Sequence, residues 1–261
     1  MSQSIWTRCA GSSRQRPFGC TPWRVVESQT VTSTRKLVDS DAEQELLEQL
    51  LERAKPPLPP EPALRGLHFL LATPFRYPPL RHGSRFGTRL EPGIWYGALA
   101  LPAAFAEVAY YRLLFLAGTT AALGTITVEL SAFQAAVQAS HGIDLTKPPF
   151  ASYEARISSK TSYADSQPLG RSMRDAGVDA FLYVSARDPD RRVNVGLFAP
   201  VFARRRPTTP RGWVCTATRE RVELSRKDVF RKQRLVFERR TFEVDGVLPA
   251  PSLTATVSPA S

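Results

Sequence analysis

The sequence lacks the residues and motifs from which the commonest metal and nucleotide sites are built. It has three cysteines and three histidines in 261 residues and no CxxC pair, so we expect no zinc site. Neither G-x-G-x-x-G nor the P-loop pattern occurs, which argues against a Rossmann dinucleotide site and a P-loop nucleotide site. The hydrolase motifs GxSxG and HExxH are also absent.

Long apolar segments are equally scarce. The amino terminus has no continuous apolar stretch of signal-peptide length, and we therefore expect a cytoplasmic protein. The most apolar region, residues 98–123, contains Glu107 and Arg112 near its middle. Charges at that place argue against a membrane span.

The chain is basic, with a formal charge of +11, and much of the excess lies in residues 204–240. Such an excess indicates either a solvated basic face or attraction to a polyanion or an acidic protein. Because no helix-turn-helix or zinc-finger pattern accompanies the charge, the sequence disfavours direct nucleic-acid binding. A basic nucleic-acid-binding module nevertheless stays open as an alternative function.

Composition divides the chain into three parts. The expected division is 1–63 for an N-terminal extension, 64–245 for the main domain and 246–261 for a disordered tail. The extension contains an amphipathic helix at 40–53, which begins with the capping-box pair Ser40 and Glu43. A stiff, proline-rich connector follows the helix.

Strands and helices alternate without a regular βαβ rhythm, which predicts a mixed α/β domain of the α+β class. A buried strand is expected at Ile94–Ala100, and a helix from Pro102 to Ala117, closed by Gly118. Further strands are expected at 125–133, 178–184 and 194–200, and a helix from about 168 to 177. The carboxyl-terminal third of the chain, which carries most of the excess basic charge and is called the basic third below, is expected to contain β-rich segments. Residues 1–20 and 146–160 are expected to be irregular.

A single acid, Glu107, stands among apolar neighbours inside the helix predicted from Pro102. A carboxylate is rarely buried unless it is paired or functional. Arg112 is five positions further along the helix and does not face Glu107 well, which weakens a purely structural explanation.

Three blocks resemble those of a known family, the RES domain, in their order and rough spacing. They are FRYPPLRHGSRFG, IWYGALALPAAFAEVAYYR and AGVDAFLYVSARDPDRRVNVGLF, and they cover roughly Leu67 to Pro200. The resemblance implies a fold similar to ADP-ribosyltransferase toxins, a mixed α/β core of small twisted sheets flanked by helices, with a cleft between them. It makes 64–245 the catalytic domain of an NAD-degrading enzyme, an NAD phosphorylase or glycohydrolase that cleaves the nicotinamide–ribose bond.

The resemblance also assigns site residues. The implied catalytic residues are Glu107, Arg85 and Ser185, and the implied substrate-binding residues are Arg76, Tyr77 and Tyr96. Compact members of the family have glycine before and tryptophan after the arginine that corresponds to Arg85, whereas this chain has Ser84 and Phe86 there. Taken singly, these residues are more often surface ion pairs, core aromatics or turn residues, and only the joint pattern favours function.

The chemistry suits these residue types. Nicotinamide leaves as a neutral ring from a cationic one, so one carboxylate suffices where an O-glycoside needs two. Arginine forks fit the pyrophosphate of NAD. Ser185 is expected to be a hydrogen-bonding residue and not a nucleophile, because no histidine lies near it in the sequence.

The family further implies the molecules that meet this chain. NAD is the expected substrate, inorganic phosphate an expected co-substrate, and no bound cofactor or metal is expected. The implied partners are an Xre-type antitoxin protein, which makes the chain the toxin of a toxin–antitoxin pair, and a second copy in a homodimer. The acceptor stays open among water, phosphate and protein, so a protein ADP-ribosyltransferase using the same cleft is an alternative.

Overall fold

A computed structural model describes residues 4–28, 38–77, 79, 83–228 and 230–250. Within them the helices are α1 Ile5–Arg8, α2 Asp41–Ala54, α3 Phe69–Arg76, α4 Leu101–Gly118, α5 Glu154–Ile157 and α6 Ser166–Asp175. The strands are β1 Arg16–Cys20, β2 Trp23–Glu27, β3 Trp95–Ala98, β4 Ile126–Gln134, β5 Val137–Asp144, β6 Ala180–Val184, β7 Val193–Leu197, β8 Arg211–Ala217, β9 Arg221–Arg226 and β10 Arg234–Glu238. These elements confirm the predicted α+β class.

The strands form one ten-stranded sheet in the order β1-β5-β6-β7-β3-β2-β4-β8-β9-β10. Neighbours are antiparallel except β5 and β6, which are parallel. The expected small sheets are therefore two halves of one large sheet. Five strands on each side meet at β3 and β2, where Trp23 and Ala98 are the single residue pair.

Helix α4 joins these two halves. Pro102 lies in its first turn, where the absent N–H costs no hydrogen bond. Its apolar face packs on the β4–β10 half, where the rings of Phe105 and Trp213 meet edge-on at 4.6 Å between centroids. Glu107 instead contacts Ser185 and Asn194, which belong to the end of β6 and to β7 in the other half.

The amino-terminal residues belong to this sheet. Strand β1 pairs with β5 at one edge, and β2 lies in the middle between β3 and β4. Ile5 and Trp6 of α1 are buried. Residues 4–20 are thus not irregular, as the sequence predicted them to be. The sheet contains strands from both sides of the boundary predicted at residue 63. The pairing partners of β1 and β2 lie far away in sequence, which local patterns do not reveal.

The second helix begins as its sequence predicts. The Ser40 amide donates to the Glu43 carboxylate at 3.2 Å, and the Glu43 amide donates to the Ser40 hydroxyl at 3.2 Å. The helix bounds, Asp41–Ala54, agree with the prediction. Three leucines of its apolar stripe are about half exposed: Leu46, Leu50 and Leu51.

Two other segments differ from the sequence prediction. Residues 146–160 contain a 3-10 helix, Phe150–Tyr153, and then α5. Leu248 of the predicted tail is buried, and the Pro249 carbonyl accepts a hydrogen bond of 2.5 Å from the Tyr110 hydroxyl. The tail from residue 251 onward lies outside the described residues. Among the described helices, none combines the length and apolar character that crossing a membrane requires.

Helix α6 holds the turn that carries Arg85. Gln167 donates from Nε2 to the Ser84 carbonyl at 3.0 Å. Gly170 lies so close to this turn that an added Cβ would be 1.9 Å from the Phe86 carbonyl oxygen. Only glycine therefore allows the helix and the turn to pack at this distance.

Replacing Gly170 with alanine is expected to destabilise the fold by about 1–3 kcal/mol, because the methyl group must push α6 away from the turn. The measurement is the midpoint of urea unfolding. Gly118→Ala is the matched control: nothing lies within 4 Å of its added Cβ, and the change is expected to be neutral or stabilising by about 0.5–1 kcal/mol. Equal midpoints for the two variants would contradict this account of the packing.

Candidate active site

Glu107 is the centre of a polar cluster between α4 and the strands β6 and β7. The Ser185 hydroxyl donates to its Oε1 at 3.0 Å, and Nδ2 of Asn194 donates to the same oxygen at 3.0 Å. The side chain is half-buried. These two hydrogen bonds fix the orientation of the carboxylate, which is the condition for a charge that acts electrostatically on a substrate.

Ser185 is fully buried and directly follows β6. Its Oγ accepts from the amides of Arg187 at 3.2 Å and Asp188 at 3.1 Å while it donates to Glu107. The hydroxyl is thus committed on both its donor and its acceptor sides. This geometry suits a residue that positions Glu107, and the expectation that Ser185 is not a nucleophile stays a prediction.

Arg85 lies in the turn beside α6 and is 8% exposed. Its Nη1 donates to the carbonyls of Ser159 at 2.7 Å and Ile157 at 3.4 Å. Its Cζ lies 5.2 Å from the centroid of the Tyr163 ring. The backbone of the 157–159 segment therefore fixes one side of the guanidinium.

Tyrosines surround these charges. The Tyr96 hydroxyl lies 2.9 Å from the Ser84 hydroxyl and accepts from the Phe86 amide at 3.3 Å, so it ties β3 to the turn that carries Arg85. Burial raises the pKa of Tyr96 to about 12. Burial also raises the pKa of Tyr183 well above 10, Glu107 raises it further and the Arg85 charge opposes the rise. Both phenols are therefore neutral hydrogen-bonding groups at physiological pH.

Arg187 has the most unusual environment in the cluster. It is 3% exposed, and its Cζ lies 3.6 Å from the centroid of the Tyr110 ring, one turn after Glu107 in α4. Neither Nη1 nor Nη2 has a hydrogen-bond partner among the residues that the structure describes. Burial raises the pKa of Tyr110 to about 12, against the lowering effect of Arg187.

A model of the RES domain matches residues 60–217, which is more than half of the chain. The chain belongs to the RES domain family. A search of the curated proteins finds no match to it. The matched range contains Glu107, Arg85, Ser185 and Asn194, and membership of this family is consistent with an enzyme that acts on NAD.

The structure brings four of the six residues expected in the RES site into one cluster. Glu107 and Ser185 are hydrogen-bonded to each other. Arg85, Tyr96 and Glu107 all lie close enough to Tyr183 to affect its pKa. The assignments of these residues to catalysis and binding stay predictions.

The other two expected residues lie at the end of α3, and not in a loop. Arg76 occupies the last turn and donates from Nε to the carbonyl of Pro56 in the proline-rich connector. Tyr77 caps the helix and is 38% exposed. Neither observation joins these residues to Glu107, and their role in substrate binding stays a prediction.

Sequence reasoning missed several members of the cluster around Glu107, namely Arg187, Asn194, Tyr110 and Tyr183. Tyr183 and Asn194 are cross-strand partners in the β6–β7 pair, 3.4 Å apart between the hydroxyl and Nδ2. Two polar residues at paired positions of apolar strands are a pattern from which this contact was predictable. Arg187 belongs to the run SARDPDRR, where nothing in the sequence distinguishes it from the exposed Arg191.

Replacing Ser185 with alanine is expected to lower the free energy of unfolding by about 1–3 kcal/mol, because the buried amides of Arg187 and Asp188 lose their acceptor. Urea unfolding measures the change. Ser172→Ala is the control, since its hydroxyl donates to the Pro168 carbonyl of its own helix, and its expected effect is about 0.5 kcal/mol or less. Equal effects of the two substitutions would contradict a positioning role for Ser185.

Proposed function

We propose that this RES protein consumes NAD, as an NAD phosphorylase or glycohydrolase, and acts as the toxin of a toxin–antitoxin pair. One observation carries the proposal: a half-buried carboxylate, Glu107, is held by Ser185 and Asn194 in a cluster that contains Arg85 and Arg187. That set combines one negative charge for a developing cation with positive charges for a pyrophosphate. Family membership supports the same class of substrate.

The reaction needs little from the protein beyond this arrangement. The bond between the nicotinamide nitrogen and ribose C1 breaks, its electron pair leaves with the now neutral nicotinamide, and positive charge develops on the ribose ring. The fixed carboxylate of Glu107 stabilises that charge, and it does so strongly because a partly buried site has a low local dielectric. An oxygen of phosphate or water then forms the new bond to C1, and a water acceptor releases its proton to solvent.

Positioning of the ribose falls to the polar groups beside the carboxylate. The Oδ1 atom of Asn194 is buried and has no donor within the described part of the chain. A ribose hydroxyl is a suitable donor to this oxygen, because a ribose bound beside Glu107 would also lie beside Asn194. Arg85, fixed by the carbonyls of Ser159 and Ile157, is proposed to bind the pyrophosphate.

The basic third is better explained as a partner surface or solvated face than as a nucleic-acid site. Several of its cations already pair with acids: Arg226 with Asp228, Lys227 with Glu129, Arg234 with Glu223 and Arg239 with Glu243. Arg204 and Arg206 are exposed beyond β7. We assign them to docking of the Xre-type antitoxin.

Purified protein is expected to deplete NAD over time, and Glu107→Gln to slow the loss by about 100-fold or more, since a neutral amide no longer stabilises the ribosyl cation. The measurement is NAD concentration against time, with and without inorganic phosphate. A phosphate requirement identifies a phosphorylase, and loss in its absence a glycohydrolase. Glu129→Gln, at an exposed ion pair on β4, is the matched control and should retain the full rate.

Equal rates for Glu107→Gln and wild type would contradict this assignment of the site. If the folded wild-type protein consumes no NAD in either buffer, biotinylated NAD distinguishes the transferase alternative. Labelling of a protein band would then favour ADP-ribose transfer to protein and overturn the phosphorylase and glycohydrolase proposals.

Replacing Arg204 and Arg206 together with serine is expected to weaken binding of a co-expressed Xre-type antitoxin, because two exposed charges are removed from the proposed contact. Copurification at increasing salt measures the loss. Arg231→Ser with Lys232→Ser removes the same charge from another exposed stretch and serves as the control. Equal retention of the antitoxin by both double variants would contradict this docking surface.

A further inference from the structure

The guanidinium of Arg187 is a buried positive charge. Its side chain is 3% exposed, and both terminal nitrogens lack an acceptor among the residues the structure describes. Burial of an ionised group is unfavourable unless it is paired and hydrogen-bonded. The stacking on Tyr110 at 3.6 Å offsets part of this penalty and leaves the N–H donors unused.

The nearby carboxylates are engaged elsewhere. Asp188, which follows Arg187 directly, accepts from Nη1 of Arg192 at 3.0 and 3.1 Å and from the Arg192 amide at 3.0 Å. Glu107 accepts from Ser185 and Asn194. Neither acid accepts a hydrogen bond from Nη1 or Nη2 of Arg187.

Arg85 and Arg174 are stacked arginines that each use a terminal nitrogen on a backbone carbonyl. Arg85 stacks on Tyr163 and donates to Ser159 at 2.7 Å, and Arg174 lies over Phe198 and donates to Pro92 at 2.8 Å. Those contacts tie segments of the fold together. Arg187 stacks on Tyr110 in the same way, but its terminal nitrogens donate to no carbonyl among the residues that the structure describes, so that stacking alone does not account for them.

We propose that Arg187 binds phosphate oxygens in the cluster around Glu107, which makes it a ligand-binding residue in addition to those assigned above. Its planar fork presents two parallel N–H donors, the geometry that matches a phosphate. Its guanidinium stacks on Tyr110, one helical turn after Glu107, so the proposed phosphate site is on the same helix as the carboxylate that is proposed to face the ribose. Because the guanidinium is covered, binding requires the surrounding side chains to move.

The same chemistry fits two sources of phosphate, the inorganic acceptor and the pyrophosphate of the dinucleotide. The identity of the ligand rests on the proposed function, whereas the unmatched donors of Arg187 do not. Binding measured without turnover therefore separates the two claims.

The test is isothermal titration of wild type, Arg187→Met and Arg174→Met with inorganic phosphate and, separately, with ADP-ribose. Methionine keeps the side chain's length and a favourable contact with an aromatic ring while it removes the charge. Arg187→Met is expected to weaken binding of at least one ligand tenfold or more, and Arg174→Met to leave both affinities unchanged. Without ligand, Arg187→Met should melt at the same or a higher temperature, since it removes an unpaired buried charge.

A tenfold loss for inorganic phosphate supports the proposal and identifies the acceptor. A loss confined to ADP-ribose supports it and identifies the pyrophosphate. Unchanged affinities in Arg187→Met overturn it, as does wild-type protein that binds neither ligand. NAD turnover is not a readout, so an inactive protein that binds phosphate through Arg187 would refute the proposed function and retain this inference.

Discussion

The two hydrogen bonds to Glu107 connect parts of the protein that the backbone barely joins. The halves of the sheet share a single residue pair, Trp23 with Ala98, and α4 bridges them. Its apolar face packs on one half, whereas Glu107 reaches the other through Ser185 and Asn194. The same contacts that orient the carboxylate thus also fix α4 against β6 and β7. One set of polar contacts therefore both orients the carboxylate and holds α4 against β6 and β7, beside an apolar cluster that also contains residues of both halves.

Around that contact the protein arranges charges and neutral donors in a medium of low dielectric. The surrounding phenols stay protonated because burial raises the pKa of Tyr96 and Tyr110 to about 12. The arginines differ in their degree of engagement, since backbone carbonyls fix Arg85 and leave Arg187 with unused donors. A site of this kind favours a ligand that carries both phosphates and a group on which positive charge develops, and NAD has both features.

Local patterns in the sequence were sufficient for much of this structure. The capping box of α2, the limits of α4 and the central strands follow from periodicity and from proline and glycine positions. Glu107 was predictable as an acid in an apolar helix. The contribution of β1 and β2 to the sheet was not predictable, because their partner strands lie far away in the sequence. The role of Arg187 was not predictable either, because its burial and its unpartnered terminal nitrogens depend on how the chain packs and not on the run SARDPDRR.

The central claim is that NAD binds beside residue 107. Diffraction from crystals of Glu107→Gln soaked with NAD tests it most directly, because the variant should bind the dinucleotide and turn it over slowly. The account predicts density with ribose C1 beside the residue 107 side chain and phosphate groups on the cluster's arginines. Density for NAD at another surface, with the cluster around Ser185 unchanged, would contradict it.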